Sequence, residues 1–222
     1  MLLVGGQAVN LWALYYEDRT KALAPFVSRD VDVLGDRETL AQIAQVIGCR
    51  PQFFPLKPPS NEVGVVFART RTGETMMIEV LRSVYGVTNE ELRESVFEMA
   101  LGAKSVRVLV PGPISLLKAK IANTADLPQT GRQDARHVAI LLELMPAFLS
   151  DLAASISKGR MSERDLINRL EALLTVITTA KARRVLAALR IPAGRIFEEL
   201  SGASMPKVEA FLKKRLPRIL AD

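Results

Sequence analysis

The spacing of apolar residues changes several times over the first 110 positions. Leu2, Leu3 and Val4 form a short continuous apolar run, the mark of a buried strand, and Gly5-Gly6 reads as a sharp turn after it. From Gln7 onward the spacing is helical, with Val9, Trp12, Ala13 and Tyr16 on one face. A loop around Pro25 leads to Asp30-Val31-Asp32-Val33-Leu34, which alternates as a strand does. A helix is expected next: Asp36 can cap it, Ile43, Val46 and Ile47 supply its apolar stripe, and Gly48 can end it. Beyond a proline-rich stretch from Pro51 to Pro59, "VGVVFAR" (63–69) and "TMMIEVLRS" (75–83) flank "TRTGE", which has the turn residues of a hairpin. A helix over "TNEELRESVFEMA" (88–100) and a strand "KSVRVLV" (104–110) close this half.

From "PGP" at 111–113 the period becomes helical nearly throughout. The segments are "ISLLKAKIANTA", "GRQDARHVAILLELMPAFLSDL", "SERDLINRLEALLTVI" with Ser162 as its N-cap, and two shorter basic stretches punctuated by Pro192 and Pro206. There is no internal repeat and no low-complexity tract. The expected organisation is an α/β domain over 1–110 followed by a helical domain over 111–222.

Composition adds limits. A chain of 222 residues with 49% hydrophobic content can bury a sizeable core, as one large domain or two small ones. Thirty Lys and Arg against 24 Asp and Glu leave a net charge of +6, which favours polyanionic partners. "KARRVLAALR" (181–190) and "FLKKRLPR" (211–218) carry much of the surplus, although a solvated helix face is the commoner meaning of such runs. The one cysteine, Cys49, cannot form an internal disulfide, and with a single histidine the usual Cys/His zinc sets are excluded. A reducing cytoplasm is the expected location. The first sixteen residues are apolar but lack a basic leader and are interrupted by Gln7 and Asn10, so no signal peptide is expected; nothing approaches a clean stretch of about 20 apolar residues, so no membrane span and no membrane partner are expected either.

The chemistry sits in "SRDVDVLG" (28–35). On a strand, Asp30 and Asp32 project to one side while Val31 and Val33 face the other. Two acids that close repel each other unless a cation lies between them, and a hard ion such as Mg2+ takes carboxylate oxygens readily. The plainer alternative is an edge strand whose outer face carries acids. Glu79, set among Met76, Met77, Ile78, Val80 and Leu81, is a third charge in apolar surroundings. Should its strand neighbour the first, three carboxylates meet, enough for two Mg2+ ions roughly 3.5–4 Å apart; alone, Glu79 reads as solvent-facing or paired with Arg82. Gly5-Gly6, between a strand and a helix, exposes backbone N–H groups to an anion such as a triphosphate.

Together, "LLVGGQAVNLWA", "SRDVDVLG" and "MMIEVLRSVYG" resemble the nucleotidyltransferase superfamily with the polymerase-beta-like palm: an apolar strand ending in GG or GS, a helix, a D-x-D strand preceded by Ser or Thr (here Ser28), and a third acid on a later strand. The resemblance covers residues 1 to about 85 and extends more loosely to about 145. Within the superfamily, "ISLLKAKIANTADLPQTGRQDARHVAILL" looks like the segment of AbiEii-type toxin nucleotidyltransferases in which a lysine precedes an Arg-x-Asp; here Lys120 (or Lys118), then Arg132 and Asp134.

The resemblance implies an α+β fold, a mixed sheet with flanking helices followed by an all-helical C-terminal domain. It also implies transfer of an NMP group from an NTP to a hydroxyl of RNA (a tRNA end, for instance), protein or a small molecule, in a toxin–antitoxin setting with a cognate antitoxin as partner. Asp30, Asp32 and Glu79 would then hold Mg2+ (or Mn2+), Gly5, Gly6, Ser28, Lys118 and Lys120 would bind the nucleotide, and Arg132 and Asp134 would support the lysine. This chain departs from the pattern in the long "YEDRTKALAPFV" between glycines and acids, in Gln7 where a small hydroxyl residue is usual, and in a Glu as third acid. Two other readings stay open: a non-catalytic nucleotidyltransferase-like binding module or antitoxin, and a D-x-D glycosyltransferase. His137, beside Arg136 on an amphipathic helix, reads as structural or surface, Trp12 as core, and Cys49 as a buried small hydrophobe.

Overall fold

The computed structural model describes residues 1–28, 30–58, 60–70, 73–101, 106–200 and 205–220. Its strands are β1 (Leu2–Val4), β2 (Asp30–Leu34), β3 (Gln52–Phe53), β4 (Glu62–Arg69), β5 (Thr75–Leu81), β6 (Val96–Leu101) and β7 (Val106–Pro111). They form one mixed sheet in the order β3-β4-β5-β2-β1-β7-β6. β2 runs parallel to β5 and β1 parallel to β7, while β1–β2, β3–β4, β4–β5 and β6–β7 are antiparallel. The fold class is therefore α+β, and β4–β5 is the expected hairpin; Arg71 and Thr72 of its turn lie outside the described residues.

Helices cover both faces of the sheet. α1 (Gly5–Tyr15) starts directly on β1, followed by the short α2 (Glu17–Thr20) and then α3 (Arg37–Ile47). α3 has the expected cap: Asp36 accepts from the Thr39 N–H in a capping box, and Gly48 ends the helix in the left-handed region at φ 74°. Its buried face is Leu40 and Ala44, with Ile43 beside them, packed on Val33, Val66 and Val80. The expected stripe of Ile43, Val46 and Ile47 is corrected, since Val46 is 87% exposed. Two residues past Ala44, Val46 is turned about 200° from it, away from the packed face.

The helix expected over 88–100 is also corrected. α4 (Asn89–Glu94), capped by Thr88 and Glu91, ends at Ser95, and the next residues form β6 on the sheet edge. Phe97 and Met99 turn inward while Glu98 and Ala100 are exposed, a period of two that a short apolar run inside a longer helical pattern conceals.

The helical half comprises α5 (Pro113–Asp126), α6 (Asp134–Ser157), α7 (Glu163–Thr178) and α8 (Ala180–Leu189), then α9 (Pro206–Ala210) and α10 (Leu216–Leu220). Ser162 caps α7, with Asp165 completing the capping box. α6 is long and apolar enough, by length and composition, to cross a bilayer, yet here Val138, Leu141, Met145, Phe148 and Leu152 are buried in the largest apolar cluster. That cluster joins α1 and β7 to α5–α8. At its centre Trp12 meets Phe97 and Phe148 edge-on, with ring centroids 5.1 and 5.5 Å away, and its Nε1 donates to the Pro111 carbonyl at 2.9 Å. One aromatic knot thus ties α1, the sheet edge and α6 together.

Phe148→Ala opens a cavity in this knot and is expected to lower the unfolding free energy by about 3–5 kcal/mol. Urea unfolding followed by fluorescence of Trp12, the sole tryptophan, measures it.

Candidate active site

The site is set by strand register. β2 and β5 pair in parallel with Asp32 opposite Glu79 and Asp30 opposite Met77. Partners in register share a face about 5 Å apart, so Asp32 and Glu79 stand side by side with Asp30 on the same side of its strand. On the other flank Val4, the last residue of β1, pairs with Asp32, which brings the Gly5-Gly6 turn against the acids. Gly5 has φ +66°, and a Cβ there would fall 1.8 Å from Asp32 Oδ2, so both conformation and space demand glycine. The Gly6 N–H lies near the Asp32 carboxylate and favours its charged form. Ser28 Oγ donates to Asp30 Oδ1 at 3.0 Å and would lie 3.4 Å from a Cβ on Gly6. Asp30, Asp32, Glu79, Ser28, Gly5 and Gly6 therefore gather at one end of α1.

Their electrostatics are unfavourable as they stand. Burial, then the charge of Asp30, pushes the Asp32 carboxyl up to about 6, against the pull of Lys120, the Gly6 N–H and Arg132. Burial and the charges of Asp32, Glu62 and Asp30 push Glu79 up to about 7. These hard oxygen donors suit a divalent cation. Among the described residues no three His, Cys, Asp or Glu side chains close into a ready metal cage. Mg2+ does not need one, because it keeps several waters and takes one or two carboxylates together with substrate phosphates. The donor set fits an open site completed by a ligand.

A basic layer lies over this face. Lys120 of α5 is 8% exposed, and its Nζ sits 2.8 Å from Asp134 Oδ1 at the start of α6. Asp134 also accepts from Arg132 Nε at 2.6 Å. Burial alone would raise the Asp134 carboxyl, but Lys120 and Arg132 outweigh it and hold the group below the usual range. Lys118 is directed elsewhere, pairing with Glu91 and lining a cavity of about 850 Å3 between α4, α5, α7 and α8. That cavity touches none of the three acids.

His137, expected to be structural or surface, packs against the start of α1. It is 7% exposed, and a Cβ on Gly6 would lie 2.9 Å from its Cε1 and 3.4 Å from its Nε2. Burial, then Lys120 and, less strongly, Arg136, bring its pKa down to about 4 against the pull of Asp134, so the ring is neutral at pH 7. The one available signal was spacing: His137 follows Asp134 by three residues, hence on the same face of α6. The adjacent Arg136 donates to the Pro25 carbonyl at 2.6 Å and to that of Leu23, fastening the loop that precedes Ser28.

No protein-family model matches the chain, and no curated protein matches it. Among solved structures it is similar to the crystal structure of an antigenic nucleotidyltransferase-like protein from Paracoccidioides brasiliensis, with 11% sequence identity and a TM-score of 0.36 over 64% of this chain and 78% of that one.

Asp32 and Glu79 give the protein a defined pH response. Their ordinary values of 3.8 and 4.5 rise to about 6 and about 7 in the fold, so between those limits the folded state holds more protons than the unfolded one. Metal-free stability is therefore expected to fall as pH rises across that interval and to level off above it. Glu79→Gln should flatten the fall and raise stability at pH 8, as read from urea midpoints on both sides of the interval. Asp134→Ala strands the buried Lys120 charge and is expected to cost about 3–5 kcal/mol by the same measurement.

Proposed function

We propose that the protein is a metal-dependent nucleotidyltransferase that moves an NMP group from an NTP to a hydroxyl acceptor. The observation that carries this reading is the parallel register of Asp32 and Glu79, with Asp30 on the same face, at the Gly5-Gly6 start of α1. The order of glycine turn, D-x-D strand and third acid is that of the superfamily resembled by the sequence.

Asp30, Asp32 and Glu79 would hold Mg2+ (or Mn2+), which when bound acidifies the acceptor hydroxyl and neutralises charge on the departing pyrophosphate. The N-terminus of α1, which has no side-chain cap of its own, receives the phosphates. Lys120 supplies fixed positive charge near Asp32, and Asp134, itself held by Arg132, keeps the ammonium in place. Lys118, engaged by Glu91, has no part in this grip.

The helical half would select the acceptor, an RNA such as a tRNA end, a protein or a small molecule. Part of its basic surplus is committed internally, in the pairs Lys181–Asp126, Arg195–Glu143, Arg215–Glu171 and Lys213–Glu209. The AbiEii-like segment suggests a cytoplasmic toxin–antitoxin role with a cognate antitoxin as partner.

The test is incubation with each α-labelled NTP, Mg2+, total RNA and cell lysate. Label is expected in one fraction from one nucleotide, lost on chelation and reduced by about 100-fold or more in Asp32→Asn. Equal labelling by native protein and variant overturns the assignment in favour of a non-catalytic module.

A further inference from the structure

His137 leaves a polar atom without a partner: its Nδ1 is buried and meets no hydrogen-bonding group among the described residues. Buried polar atoms are ordinarily paired, and an apolar side chain of similar bulk would fill the space between α1 and α6 without stranding one. The ring is also placed with purpose. Its Cε1–Nε2 edge faces Gly6 in the first turn of α1, Ser28 Oγ approaches the same glycine, and α6 carries Lys120's partner Asp134 one turn earlier. That turn has unsatisfied N–H groups by construction and carries the positive end of the helix dipole.

We infer that His137 is a substrate-binding residue that donates a hydrogen bond from Nε2 to a phosphate oxygen of the incoming triphosphate. The inference rests on the transferase reading above and deepens it. A neutral imidazole carries one hydrogen, and on Nδ1 it would be a buried donor with no acceptor, so the ring holds it on Nε2, the nitrogen turned toward the glycine. His137 is kept neutral by burial, with Lys120 adding to it, so it offers this donor at pH 7 without adding a second cation beside Lys120. The same helix fixes the rest of the grip, because Arg136 clamps the carbonyls of Leu23 and Pro25 ahead of Ser28.

As the only histidine, His137 gives a single imidazole signal in protein labelled with 15N-histidine. The free protein is expected to show the Nε2–H form, and saturation with Mg2+-tripolyphosphate, or with an NTP and Mg2+, should shift Nε2, whereas a nucleoside should not. By fluorescence competition, His137→Leu should weaken triphosphate binding by about 10- to 100-fold while His137→Gln, which restores an N–H near Nε2, recovers most of it. Triphosphate binding by the native protein with an unmoved imidazole overturns this inference alone and needs no variant to fold. Failure of the native protein to bind any triphosphate removes the transferase reading and this inference with it.

Discussion

The repulsion between carboxylates on β2 and β5 is the constraint around which the molecule is arranged. Nothing in the acids favours the parallel register that puts Asp32 beside Glu79. The register is held from the opposite face, where Val33, Val80 and Val66 pack on Leu40 and Ala44 of α3. A slip of one residue would turn the acids into that apolar layer and the valines out to the site. The core therefore spends part of its stability on holding like charges together, as functional sites commonly require.

The same logic places the second layer. The Gly5-Gly6 end of α1 is fixed by what happens two turns later, where Trp12 locks against Phe97 and Phe148 and donates to Pro111. α6 enters that knot through Phe148 and, at its other end, presents Asp134 and His137 to Lys120 and Gly6. Packing along one helix thus aligns two groups, one charged and one neutral, with a turn contributed by the other end of the sequence.

Much of this was legible because it is local. The alternation of Asp30 and Asp32 with valines, the glycine turn, the β4–β5 hairpin and the Asp36 and Ser162 caps depend on residues within a few positions of one another. What escaped was decided at long range. Val96–Leu101 becomes a strand because β7 offers it an edge, and no residue between 88 and 100 announces that partner. Lys118 and Lys120 stand about 200° apart on α5, so they cannot face one ligand together. Leu116 and Ala119 packing inward decides which one meets the acids. His137 read as structural or surface, and the charge on its neighbour Arg136 did not decide between the two; that arginine is engaged by the backbone of Leu23 and Pro25 and marks an internal seam.

A net charge of +6 and a knot of three acids are not at odds. The overall field draws polyanions toward the chain, while the carboxylates repel a bare triphosphate at the last few ångströms, where screening is weakest. On the proposed reading only a triphosphate accompanied by a divalent cation satisfies both fields. The cation would relieve the repulsion felt by Asp32 and Glu79, and the phosphates would meet Lys120 and the start of α1. Binding of each partner must then strengthen binding of the other by the same factor, since linkage is reciprocal. On that reading, selection of a metal-bearing substrate would follow from the charge map itself, with no need for a closed metal cage in the free protein.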